Sequence, residues 1–231
     1  MFDADGKFIE NLATFYDDEF WQLFNAETGK VNVTDTKEKC DAAARPDVDP
    51  DYRNCCVECQ ISYMAEGASM TYTIPIEPVR ASRPGERVGF AGVGLAFNGV
   101  RLDAPAPVDA ILDAHTLAPF DDCGGHMNLH VGYHLHAVTD CFKEVSVAEG
   151  HAPMIGLAMD GFSLHLRVNA DGSEPQDLDA CCGHDFGDLG YHDHVAEPGK
   201  NAILGCHVGE YGCSSEQPDR YWDATVRPAR P

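Results

Sequence analysis

Two histidine triplets carry the chemistry that this sequence offers. His126, His134 and His136 follow the spacing H-x7-H-x-H, and His184, His192 and His194 repeat it. In a strand, residues i and i+2 share a face, so His134 projects beside His136, and His192 beside His194. A Gly-containing turn lies after the first His of each triplet, which lets the chain fold back and present all three. Three imidazoles that converge around an open fourth position form the pattern of a catalytic zinc. The same set suits copper and other imidazole-binding metals. A zinc held this way brings the pKa of its water to about 7. A nearby carboxylate then takes the proton, and Asp121, Asp179 and Asp193 are the candidates. Asp121 and Asp179 occupy equivalent positions and either orient a ligand His through its second nitrogen or cap a turn. Asp193, Tyr133 and Tyr191 alternate with the paired histidines and so face away from them; the tyrosines read as core residues.

The other histidines lack a repeated partner. His115, His130, His151, His165 and His207 read as surface or core residues, with His130 close enough in sequence to supply a fourth ligand. The run Asn169-Ala170-Asp171-Gly172-Ser173 resembles a calcium loop only loosely, lacks the closing Glu, and reads as a turn. No nucleophile elbow, phosphate loop or dinucleotide fingerprint is present.

The elements that must position the triplets repeat with them. Gly94-Leu95-Ala96-Phe97-Asn98-Gly99 recurs as Gly156-Leu157-Ala158-Met159-Asp160-Gly161. The pattern D-x-C-x-G-H-x5-G-Y-H-x-H begins at Asp121 and again at Asp179. The reading is two copies of one hairpin-rich unit, about 88–150 and 151–213, fused into one core. The expected fold is mainly β: a single sandwich or barrel-like domain over 69–213, behind a short helical N-terminal segment. Whether the histidines form two sites or one shared site stays open at this point.

Residues 1–62 read as an N-terminal arm. Apolar residues at 8, 12, 15, 16, 20, 23 and 24 predict one helical face over 8–24. Residues 25–50 read as loop, followed by the Cys55-Cys56-Val57-Glu58-Cys59 cluster, expected to staple the arm by a disulfide. Residues 69–76 and 87–97 read as strands, the second ending in the hairpin signal Asn98-Gly99. A helical turn is expected at 108–113, and 214–231 reads as a tail.

Composition bounds the partners. The formal charge is −22, which repels nucleic acid and anionic lipid. No run is long and apolar enough to span a membrane. Ten cysteines, the acidic surface and the Asn32-Val33-Thr34 sequon favour an exported, secreted or periplasmic chain whose signal peptide has been removed. A cytosolic, thiol-rich chain is the alternative. The expected pairs are Cys123 with Cys141, Cys181 with Cys206, and Cys182 with Cys213.

From about 69 to 213 the chain resembles the YHYH-domain family, named for a Tyr-His-Tyr-His motif. The resemblance rests on Met70-Thr71-Tyr72-Thr73-Ile74-Pro75, Gly92 to Val100, Cys123-Gly124-Gly125-His126, Tyr133-His134-Leu135-His136, Ile155 to Phe162, Asp177 to His184 and Gly190-Tyr191-His192-Asp193-His194. Leu135 and Asp193 stand where the second Tyr of the motif belongs. The resemblance implies an exported, β-rich domain and no particular activity. The functional expectation is therefore a zinc-dependent hydrolase acting on a small molecule. The alternatives are a copper- or zinc-binding protein without turnover, and a disulfide-rich extracellular binding module.

Overall fold

The computed structural model describes residues 6–45, 47–82 and 92–215. Residues 87–91 of the expected strand over 87–97 and the tail beyond 215 lie outside these residues. The helices are α1 (Gly6–Tyr16), α2 (Lys37–Ala43) and α3 (Val108–Ala114). The strands are β1 (Thr71–Thr73), β2 (Gly94–Ala96), β3 (Arg101–Leu102), β4 (Gly125–Asn128), β5 (Gly132–Leu135), β6 (Met154–Ala158), β7 (Ser163–His165), β8 (Gly183–Phe186), β9 (Gly190–His194) and β10 (Cys213–Ser215). The fold is mainly β. Contacts divide the chain into two compact units, Met1–Gly67 with Pro107–Tyr133, and Ala68–Ala106 with His134–Pro231.

In the first unit, α1 is shorter than the apolar periodicity predicts. Asp17 adopts a positive φ of 52°, and Asp18 N–H bonds back to the Ala13 carbonyl. The Asp18 carboxylate accepts from Phe20 N–H and meets His115 Nε2 at 2.8 Å. The chain therefore reverses, and Trp21 and Leu23 pack on Ile9 and Leu12 instead of extending the helix. Burial of these four side chains outweighs a few more helical turns. Thr36 caps α2, and a Cys40–Cys59 disulfide ties that helix to the cysteine cluster, as the staple reading expects.

In the second unit the strands run β5-β3-β2-β6-β7-β9-β8, and β1 pairs with β10. β2 and β3 form the Asn98-Gly99 hairpin, with Ala96 N–H bonded to the Val100 carbonyl. β6 and β7 form another around Asp160-Gly161, with Ala158 N–H on the Phe162 carbonyl. The hairpins join through antiparallel β2 and β6, where Leu95 faces Leu157. Gly94 and Gly156 flank that pair, and a Cβ on either would run into the carbonyl of Leu157 or Leu95. β3 then takes β5 as a parallel neighbour, and β7 takes β9. The barrel-like closure expected from sequence does not form: β8 has only β9 beside it among the described residues. Closure needs the end strands to meet with a matched stagger, and strands of two to five residues give too little length for it.

Six cysteines are disulfide-bonded: Cys40 with Cys59, Cys181 with Cys206, and the half-cystines Cys123 and Cys141. The expected Cys182–Cys213 bridge is corrected, because both thiols are free. Cys213 is held in β10 opposite Thr73, and Cys182 sits at φ 74° in the turn before β8, its carbonyl accepting from His194 N–H.

Candidate metal centre

The β8–β9 hairpin places His184 directly opposite His192, and strand alternation puts His194 on the same face as His192. Their Nε2 atoms converge. His184 and His192 are 3.0 Å apart, and His194 lies 3.2 Å from each. A fourth imidazole joins them: His151 Nε2 is 3.0 Å from that of His192. The four residues can place one nitrogen each within 4.8 Å of all the others, and all four are buried. Four nitrogens bound to one tetrahedral zinc at 2.0–2.1 Å would be about 3.3 Å apart.

The outer nitrogens establish what the inner ones are. His151 Nδ1 lies 2.8 Å from the Ala152 carbonyl, His192 Nδ1 3.0 Å from Gly190 O, and His194 Nδ1 2.7 Å from Leu166 O. His184 Nδ1 lies 2.8 Å from the Asp177 carboxylate. Carbonyls and carboxylates only accept, so each Nδ1 carries a proton and each ring points its Nε2 inward. Burial depresses His192 to about 3 and His194 to about 4, so neither is protonated at neutral pH. His192 and His194 thus turn bare Nε2 lone pairs inward, and the Nε2 atoms of His151 and His184 converge on them. The residues fit a tetrahedral nitrogen-ligated metal.

His165 completes the surroundings without facing the centre. Its ring is 4.6 Å from that of His192, its Nδ1 lies 2.8 Å from the Ala152 carbonyl, and its Nε2 lies 3.0 Å from the Ser163 hydroxyl. Burial lowers it to about 4.

The candidate carboxylates are placed elsewhere. Asp179 accepts from Cys181 N–H, Gly183 N–H and the Tyr191 hydroxyl, and so shapes the turn into β8. Asp121 does the same with Cys123 N–H, Gly125 N–H and the Tyr133 hydroxyl. The glycines after these turns leave room for the tyrosines, since a Cβ on Gly125 or Gly183 would strike the Tyr133 or Tyr191 ring. Asp193 is buried on the reverse face of β9, and neither of its oxygens meets hydrogen-bond geometry with a partner among the described residues. Burial, then the charges of Asp160 and Asp179, raise its carboxyl well above the usual range.

The first-half candidates fall on both units. His126 is on β4 of the first unit, its ring 4.9 Å from that of Phe120. His134 and His136 are in the second unit, their rings 4.9 Å apart and perpendicular, with His136 Nδ1 2.6 Å from the Ala104 carbonyl.

Sequence reasoning missed His151 and Asp177. His151 stands outside the repeated motif and read as a surface or core residue. Asp177 lies two positions before the repeated Asp179, and only the orientation of the His184 ring singles it out.

No curated protein and no solved structure matches the chain. The family model described as YHYH protein matches residues 71–205, more than half of the sequence and all of the hairpins described above. The chain belongs to the YHYH protein family.

Proposed function

We propose that this protein holds a structural or stored divalent metal ion, zinc first, in the closed tetrad His151, His184, His192 and His194, and does not turn over substrate at that ion. The carrying observation is the convergence of four Nε2 atoms on rings whose Nδ1 atoms are all committed to acceptors. The hydrolase reading rests on three histidines and an open position for water. With His151 as the fourth ligand, a tetrahedral ion has no position left for water or substrate. Asp121 and Asp179 spend their oxygens on turns and tyrosines, which argues against a general base at this centre.

Tetrahedral nitrogen coordination favours zinc over divalent copper, which prefers tetragonal geometry. Copper remains the runner-up because it binds a given nitrogen site more tightly. We further infer that the hairpins are copies of one unit, supported by the Leu95–Leu157 pairing and the matched parallel neighbours on either side. An exported location is supported by the six half-cystines. No helix among the described residues is long and apolar enough to cross a membrane.

The test is elemental analysis of the full chain and of a folded His192→Ala variant. Loss of an equivalent of metal per chain in the variant supports the reading. Full retention in a variant with wild-type circular dichroism overturns it.

A further inference from the structure

His184 differs from the other members of the tetrad in what holds its outer nitrogen. His151, His192 and His194 lean on main-chain carbonyls, which the fold keeps in place. His184 leans on Asp177, a side chain 69% exposed in the loop before β8. The tetrad is also unevenly covered. His192 and His194 are 0% exposed, whereas His151 and His184 keep 6% and 7%. Phe186, 45% exposed, lies against both, with its ring 4.8 Å from that of His151 and 5.8 Å from that of His184. The two less buried ligands thus share one aromatic neighbour, and one of them, His184, is held by an exposed carboxylate. Of the other charges on this hairpin, Asp185 is already paired with Arg80 at 3.0 Å. Asp188, in the turn between β8 and β9, is exposed and adds a negative charge to this hairpin.

We propose that Asp177 is the carboxylate at which a hydrated divalent cation first docks, and that the ion then reaches the tetrad past Phe186, meeting His184 before the deeper ligands. This rests on reading the tetrad as a metal site. A carboxylate is a hard oxygen ligand that accepts an aquated ion readily. His184 takes its Oδ1, and no other side chain among the described residues is hydrogen-bonded to the carboxylate, which leaves the second oxygen for the ion. His184 has no main-chain anchor at Nδ1 and is the ligand best able to turn outward to receive it.

The experiment is stopped-flow loading of the metal-free full chain with cobalt(II), read by the visible bands of tetrahedral cobalt. Asp177→Asn keeps a hydrogen-bond acceptor for His184 but removes the charge. It is expected to slow loading about tenfold with the same final band, and Asp177→Glu to restore the rate. Phe186→Ala is expected to speed both loading and release into a chelator. Wild-type loading speed in Asp177→Asn, or loss of its final band, overturns the proposal and leaves the tetrad intact as a reading. A wild-type chain that shows no band sensitive to His192→Ala overturns the metal site itself.

Discussion

His151 Nε2 lies 3.0 Å from His192 Nε2, across 41 residues of sequence. The two meet because β6 and β7 bring the chain after His151 back beside β9, and because Ala152 offers its carbonyl to the outer nitrogens of both His151 and His165. That contact turns three convergent histidines into four.

It follows that His151→Ala should lower metal affinity as much as His192→Ala does. In the proposed tetrad each removes a direct ligand, and the loss should exceed the 10–100-fold typical of an outer-sphere change. His165→Ala should leave the ion bound, since its Nε2 faces Ser163. Competition against a chelator of known affinity separates the two cases. Equal losses in the His151 and His165 variants would remove His151 from the ligand set.

Acid should destabilise the metal-stripped chain. His165 and His194 are depressed to about 4 and His192 to about 3, below an unfolded value near 6.5. The unfolded state then binds more protons. The contribution is fully present above pH 6.5 and is lost as pH falls toward 4. Asp193, raised by burial, works in the opposite sense and favours lower pH. Three depressed histidines outnumber it, so the midpoint of thermal unfolding should fall by about 10 °C between pH 7 and pH 5. A flat profile over that interval would contradict the buried neutral rings.

Thiol titration of the denatured, unreduced chain should count four free cysteines, Cys55, Cys56, Cys182 and Cys213. In the native chain Cys55 should react last, because burial pushes its thiol to about 11 and its Sγ meets the Tyr52 carbonyl. Replacing Cys181 and Cys206 by Ser should cost about 2–5 kcal/mol in denaturant unfolding.

Gly156→Ala should be disproportionately damaging for so small a change. The added Cβ meets the Leu95 carbonyl in the strand beside it, so β2 and β6 must separate at the centre of the sheet. A loss of about 1–3 kcal/mol is expected from such overpacking. Gly199→Ala, with open space around the new methyl, serves as the control and should change stability little.

The residue types alone determined the three histidines of the centre that lie on one hairpin. A two-residue strand period and a glycine turn suffice to bring His184, His192 and His194 together, and both signals are local. The Gly-Leu-Ala and Asn-Gly motifs likewise located the hairpins, since close strand approach and positive φ restrict which residues fit. Tertiary structure decided the rest. His151 carries no periodic signal, and only sheet order delivers it to β9. Spacing left Asp179 as either the partner of a ligand or a turn cap; the turn and Tyr191 claim it, and ring orientation awards His184 to Asp177. The helix expected over 8–24 stopped at Tyr16 because Trp21 and Leu23 bury more surface by folding back than by continuing the helix. Long-range burial and hydrogen-bond satisfaction are properties of the packed chain, and no local spacing encodes them.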